Sequence, residues 1–463
     1  MTTPRIAVIG GGLSGLVAAY ELRAQFADAA ITVVETADRL GGKLHTTEFP
    51  SGPMEVGAEA FISRRPEASD LVRELGLTEQ LRHPRGLSPV IRTGGRLVAM
   101  PTGTLMGLPS DPNTLARVLD PEDVARAAEE ERLPLDWSVS GDVSLGDFVA
   151  ERFGPAIVTR LVDPMLGGVY AASSRGLGLR EVVPGLAAAL DRGAPSLTAA
   201  ARELVANSTG GPVFATLAGG YRELVSSLDR AARAGVVMNT RVTGLRRGGG
   251  AGRSSYLLDL DGPDGRGELE VDAVVLAVPV PHATPLLSGQ AGEAARRLGR
   301  IRTASSAVVA LEIARDYPLP ETSGVLVAID EPVDYKAMTF SSRKWPHLDD
   351  REGHLVRVSF GKLGDDEVLA SDDDGLTRRA VDALTELGGV APTVLHSGVG
   401  RWVDGLPEIG PDHRSRMAEI RSLLAEDLPG LELVGAATEG VGVPACIGSA
   451  RAAGRRLADW WQD

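Results

Sequence analysis

The 463-residue chain carries 48 lysines and arginines against 62 aspartates and glutamates, a formal net charge of −14, which speaks against nucleic acid or an anionic membrane surface as its main partner. Its length suggests two or three packed units, and its composition, 43% hydrophobic and 24% charged, is ordinary for a globular protein. One cysteine, Cys446, excludes a disulfide framework and an intrachain redox pair, which suits a reducing cytoplasm.

The N-terminus lacks the apolar core and cleavage site of a signal peptide, and no apolar run approaches the roughly 18 residues of a membrane span. Ile6 to Ile9 is instead a short apolar run, expected as a buried parallel strand. Gly10-Gly11-Gly12-Leu13-Ser14-Gly15 follows and fits G-x-G-x-x-G. Leu13, Leu16, Val17 and Tyr20 then recur at helical spacing. A second apolar run, Ile31 to Val34, ends in Glu35, at the distance expected for an acid that takes ribose hydroxyls. Strand, glycines, helix, strand and acid predict a dinucleotide-binding fold. The glycines allow a tight turn against a pyrophosphate, and the helix start offers free N–H groups to it. Arg39-Leu40-Gly41-Gly42-Lys43 adds a second glycine pair, which resembles the glycine doublet of FAD-binding oxidoreductases and favours FAD over NAD.

Residues from about 111 to 210 read as helical and begin with an acidic stretch, Asp111 to Asp136. Val236 to Leu245 is strand-like. Arg246 to Gly250 looks like a phosphate loop but leads into a strand, Tyr256 to Leu260, and is expected as a solvated hairpin turn. Val271 to Val278 is another buried-strand run. Ala307 to Ile313 and His354 to Phe360 belong to a strand-rich region, and Leu431 to Ala436 is a further run before a glycine-rich turn and a helix that buries Ala450, Ala453 and Leu457. The expected fold is α/β: a Rossmann-like FAD-binding domain (1–85, 212–285 and 396–463), an inserted α+β substrate domain (86–110 and 286–395) and a helical domain (111–211); by the resemblance of its glycine doublet this is an amine-oxidase-like flavoprotein architecture. No Ser-His-Asp, Cys-His or metal-ligand constellation stands out, so neither a catalytic side chain nor a metal is predicted.

Gly440-Val441-Gly442-Val443-Pro444-Ala445-Cys446-Ile447 is the richest late motif, with proline near a first helical turn. It resembles the closing motif of the porphyrinogen oxidases of haem biosynthesis, with Ala445 where that family has aspartate. Leu161-Val162-Asp163-Pro164-Met165-Leu166-Gly167-Gly168-Val169-Tyr170-Ala171, Ser341-Ser342-Arg343-Lys344-Trp345-Pro346, and Arg401-Trp402 with Leu406-Pro407 resemble further motifs of that family, in the same order. The resemblance implies non-covalent FAD held by Gly10, Gly11, Gly12, Leu13, Ser14, Gly15, Glu35, Thr36, Gly42, Lys43, Gly57, Ala58, Glu59, Ala60, Val242, Trp402, Gly442, Val443 and Pro444. It implies a porphyrinogen pocket formed by Gly168, Tyr170, Gly324 and Leu326; against a net charge of −14 an anionic substrate needs local basic groups, for which Arg64 and Lys344 are candidates. Cys446 is expected as a buried, unreactive thiol.

The reaction so implied is six-electron oxidation of a porphyrinogen in three flavin rounds, with dioxygen as acceptor and hydrogen peroxide released. The substrate is electron-rich, so orientation and a dry cavity matter more than a strong base. An acidic helical insert is a poor membrane-docking face. That favours coproporphyrinogen III over protoporphyrinogen IX; a cytoplasmic setting is expected, and the resemblance to a haem-pathway family implies a ferrochelatase as a partner. A flavin amine oxidase is the more distant alternative, but Gly440 to Ile447 contains no aromatic residue. The full glycine set and Glu35 argue against a flavin-free relative.

Overall fold

Ile6 to Ile9 has apolar residues facing both ways, which requires cover on both faces. In the computed structural model, which describes residues 3–208, 210–248, 255–361 and 366–462, this run is β1 (Arg5–Ile9), the middle strand of a five-stranded sheet. α1 (Leu13–Gln25) and β2 (Ala30–Val34) follow directly. β3 (Gly235–Val237), β4 (Ala273–Leu276) and β5 (Leu431–Leu433) come from far along the chain. The order is β3-β2-β1-β4-β5, and every neighbouring pair is parallel. A parallel sheet of this kind places its ligand site beyond the carboxyl ends of the strands.

The last helix, α2 (Val443–Gln462), buries Ile447, Ala450, Ala453, Leu457 and Trp461, a stripe at helical spacing. It packs on α1. Gly454 permits the approach, since a Cβ there would lie 2.7 Å from Cγ of Glu21.

Two boundaries differ from the sequence expectation. Val236 to Leu245 is two strands, β3 and Arg241–Arg247, because Asn239 turns the chain in the left-handed region (φ 51°). The run from Leu431 ends at Leu433, where Gly435 (φ 118°) redirects it into a short helix, Ala436–Glu439. The strand Arg241–Arg247 pairs antiparallel with Tyr256–Gly262. Gly249 and Gly250, in the turn expected between them, lie outside the described residues.

A second sheet has seven strands in the order Val394–Pro407, Thr303–Ile313, His354–Phe360, Tyr335–Phe340, Gly324–Val327, Val90–Thr93, Arg96–Ala99. Only the pair Gly324–Val327 and Val90–Thr93 is parallel. Val394–Pro407, most of which falls in the segment assigned by sequence to the cofactor unit, runs in this second sheet.

The helical region has its own core, including Leu145, Phe153, Leu161, Leu186 and Leu197. Ser144 and Ser196 cap the helices Leu145–Phe153 and Leu197–Ala206 by accepting from the N–H groups of Asp147 and Ala199. One acid of the Asp111–Asp136 stretch is not a solvated charge. Glu130 is fully buried, pairs with Arg152 at 2.8 Å and accepts from the N–H groups of Leu197 and Thr198. Among the described residues, no helix is long and apolar enough to cross a membrane.

Candidate cofactor and substrate site

The first glycine loop is shaped by what cannot fit there. A Cβ on Gly15 would fall 1.9 Å from the carbonyl oxygen of Gly10, and one on Gly10 (φ 102°) would fall 2.8 Å from that of Ala277. α1 therefore starts hard against the end of β1, and no side chain caps its first N–H groups. The glycine doublet docks onto this loop. The N–H of Gly41 donates to the carbonyl of Gly11 at 2.8 Å, and Gly12 and Gly41 form a parallel bridge.

Glu35 is fixed from two sides. Its Oε2 accepts from the N–H of Gly11 at 2.7 Å and its Oε1 from the N–H of Ala37 at 2.8 Å. A carboxylate so held keeps further lone pairs for hydroxyl donors. Thr36 is exposed at the rim. The N–H of Thr240 donates to the carbonyl of Glu35, which brings the buried Val242, two residues on, beside it.

Lys43 extends the cradle. Its carbonyl accepts from the N–H of Ala58 at 3.0 Å, and a Cβ on Gly57 would lie 2.1 Å from that oxygen. The side chain runs past Gly405, whose Cβ would meet its Cε at 2.9 Å. Burial pulls the ammonium below the usual lysine range. Cys446 in the first turn of α2 lies near it and beside the Ser14 hydroxyl, so the start of α2 meets the start of α1. Burial pushes the Cys446 thiol up, against Lys43, Ser14 and Arg65. Gly442 and the buried Val443 and Pro444 form the entry to α2. Trp402 joins through Arg39, whose guanidinium lies 5.8 Å from its ring centroid and whose Nη2 donates to the carbonyl of Gly42 at 2.9 Å. The edge of His45 meets the same ring.

Most of these expected cofactor residues are linked to one another by the contacts above. Two helix starts, a lysine with no ion-pair partner among the described residues and a fixed carboxylate suit a ligand with a pyrophosphate and a ribose.

Glu59, whose side chain is only 9% exposed, uses it inward. Oε2 pairs with Lys344 at 2.7 Å, and Oε1 accepts from the Ser341 hydroxyl at 2.5 Å and lies 3.6 Å from Arg357. Arg357 also donates to the carbonyl of Gly57. Burial would raise the Glu59 carboxyl, but Lys344, Arg357 and Ser341 outweigh it and hold the group at about 2. Ala60 packs against the cluster that includes Phe49, Met54 and Trp345. Arg357, Ser341 and Arg39 carry no expected role from the sequence. Ser341 does stand in the Ser341–Pro346 motif, and Arg357 is a charge flanked by Val356 and Val358, the one signal the sequence offers for it.

Gly168 and Tyr170 lie on the helix Asp163–Tyr170, which packs on the strand Gly324–Val327. Tyr170 and Leu326 both flank the helical core. A Cβ on Gly168 would meet nothing within 4 Å, whereas one on Gly324 would fall 2.1 Å from the carbonyl oxygen of Met338. Burial raises the Tyr170 hydroxyl, and the nearby Arg65 opposes it. Arg65 also acts on Cys446, so it stands between the cofactor cradle and this wall. Arg64 is exposed, with contacts to the Ser208 hydroxyl and the Gly211 carbonyl. Among the described residues, no cluster of His, Cys, Asp and Glu could hold a metal ion.

A family model described as flavin containing amine oxidoreductase matches residues 13–458. The chain is 43% identical over 451 residues to coproporphyrinogen III oxidase of Mycobacterium tuberculosis (strain CDC 1551 / Oshkosh), covering 97% of this chain and 96% of that protein. It is 29% identical to coproporphyrinogen III oxidase of Bacillus subtilis (strain 168), with 97% and 96% covered. Among solved structures, a candidate protoporphyrinogen oxidase from Exiguobacterium sp. 255-15 superimposes with a TM-score of 0.88 at 28% identity, covering 99% of each chain. Cyclohexylamine oxidase from Brevibacterium oxydans IH-35A shares the fold, with a TM-score of 0.71 at 15% identity and all of both chains covered.

Proposed function

The chain belongs to the flavin containing amine oxidoreductases, and within that family we propose that it oxidises coproporphyrinogen III to coproporphyrin III, using non-covalent FAD and dioxygen, with hydrogen peroxide released. The observation that carries this reading is the 43% identity, spread over nearly both whole chains, to enzymes named for that substrate.

When bound, the flavin supplies two-electron acceptance from a methylene bridge of the substrate. The protein's own residues bind, orient and exclude water. Glu35 would take the ribose hydroxyls beside Val242. Lys43 and the starts of α1 and α2 would meet the pyrophosphate, and the entry at Gly442 would face the ring's polar edge. Gly57 to Ala60 and Trp402 would flank the ring. Gly168, Tyr170, Gly324 and Leu326 would form the macrocycle wall, and the exposed Arg64 would leave its contacts to Ser208 and Gly211 to meet a propionate. Lys344, committed to Glu59, would act through that carboxylate. In this reading 1–85, 212–285 and the C-terminal segment hold the cofactor, the second sheet floors the substrate site and residues 111–211 cover it. A cytoplasmic setting and transfer of product to a ferrochelatase complete the proposal.

The test compares turnover of anaerobically prepared coproporphyrinogen III and protoporphyrinogen IX, with peroxide counted. The expected result is faster turnover of coproporphyrinogen and about three peroxides per porphyrin, because each flavin round carries two electrons. Equal or better turnover of protoporphyrinogen would move the substrate assignment. Flavin that stays on acid-precipitated protein would overturn non-covalent binding.

A further inference from the structure

Beside the ion cluster around Glu59 lies a small cavity of about 30 Å³, lined by Glu55, Glu59, Thr216, Gly220, Trp345 and His347 among others. Three lining residues leave a buried polar atom without a partner among the described residues: Oε2 of Glu55, Nε1 of Trp345 and Nδ1 of His347. The Tyr221 hydroxyl and Nε of Arg357, close by, do the same. Buried polar atoms in folded proteins are nearly always met by protein or ordered water. Met54, Leu217 and Leu348 also line the cavity; a wholly apolar void stays dry, whereas one of this size that also presents polar groups has room for about two waters. The chemistry is complementary: the indole N–H only donates, a carboxylate accepts, and a phenol or neutral imidazole can do either.

Glu55 is the group that can exchange a proton here. Its Oε1 already accepts from the Tyr221 N–H at 2.7 Å and the Thr46 hydroxyl at 2.8 Å. A proton on the carboxyl therefore belongs on Oε2, the unpartnered oxygen. Tyr221, Arg357 and Glu59 face it electrostatically. Beyond them, Lys344 pairs with Glu59, and His347 lies among Arg82, Arg351 and Glu59. Glu59 is thus balanced by two cations, Lys344 and Arg357. Protonated Glu55 leaves this cluster with a surplus positive charge, and ionised Glu55 neutralises it.

We propose that the cavity is a site for ordered water and that Glu55 is its proton-exchanging group, a positioning residue whose charge acts through Arg357 and Glu59 on the loop Gly57 to Ala60. The proton passes between Oε2 and cavity water, with no electron transfer. Burial pushes the Glu55 carboxyl up to about 7, so both states are populated at neutral pH. The effect on turnover rests on the reading that this loop faces the flavin; the water and the proton do not.

The experiment uses purified holoenzyme. Infrared difference spectra between about pH 6 and pH 9 are expected to show a protonated-carboxyl band that is lost at the higher pH and missing in Glu55→Gln. A crystal structure of the holoenzyme is expected to show water within hydrogen-bond reach of Glu55 Oε2 and Trp345 Nε1. Glu55→Gln should match wild type in kcat/KM at about pH 6 and diverge at about pH 8, where about nine in ten wild-type carboxyls are ionised. A dry cavity, or wild-type protein without the band, overturns the proposal, and both readouts stand even if the variant fails to fold. An unchanged pH profile in Glu55→Gln, with band and water present, overturns the positioning role. A porphyrinogen that proves to be the wrong substrate would touch neither the band nor the water.

Discussion

Gly15 occupies a place with no room for a side chain, since a Cβ there would lie 1.9 Å from the Gly10 carbonyl oxygen. Gly15→Ala should force the loop to shift at a cost of about 1–3 kcal/mol, weakening flavin retention by roughly ten- to hundredfold, as read by flavin titration of the apoprotein. Unchanged affinity would remove the loop from the cofactor site. Glu59 is held by two cations in a buried setting, so Glu59→Ala should destabilise by about 3–5 kcal/mol in urea unfolding. The pH dependence has a definite sign. Burial, with Arg82 and Arg351, lowers His347 from 6.5 to about 4, so its contribution is full above 6.5 and lost as pH falls through about 4. Glu59, lowered from 4.5 to about 2, follows at more acid pH. His347→Gln should therefore flatten the first part of the acid limb in urea midpoints and leave the second. At this scale the glycines and Glu35 were legible because their demands are local. Arg357 was not, because its partners are Gly57 and Glu59, some three hundred positions away.

Elements were legible where a pattern decides them alone. β1, β2, α1 and α2 follow from apolar runs, glycines and helical spacing. Boundaries failed where one backbone angle decides, as at Asn239 and Gly435. The pairing of the helix Asp163–Tyr170 with the strand Gly324–Val327 is a tertiary event that no local pattern encodes. That pairing separates two glycines of the expected substrate wall. Gly168 opens onto space, so Gly168→Leu should fold and keep its flavin while raising KM for the porphyrinogen tenfold or more, about 1.4 kcal/mol. Gly324→Ala drives a Cβ into the Met338 carbonyl and should lower thermal stability as well as activity. A Gly168→Leu enzyme with wild-type KM would place the substrate elsewhere.

At the scale of the whole molecule, the net charge of −14 sets the long-range field. A substrate with four carboxylates approaches against it, and salt screens the repulsion over about 8 Å at physiological ionic strength. We expect kcat/KM for coproporphyrinogen to rise severalfold, roughly threefold or more, between low and physiological salt, and to rise less for protoporphyrinogen. A fall with salt would mean that local arginines dominate the encounter. The five-stranded sheet adds a consequence in time. β1 and β2 leave the ribosome early, but β4 and β5, with the helix that completes the cradle, come from residues 273 to 462. At about 5–20 residues per second, synthesis from residue 34 to residue 431 takes roughly 20 to 80 s. Through part of that interval one edge of β1 waits without its partner β4, an open strand that invites mispairing with other nascent chains. Overproduction should therefore be sensitive to translation speed and chaperone supply, and flavin loading should follow the completion of synthesis.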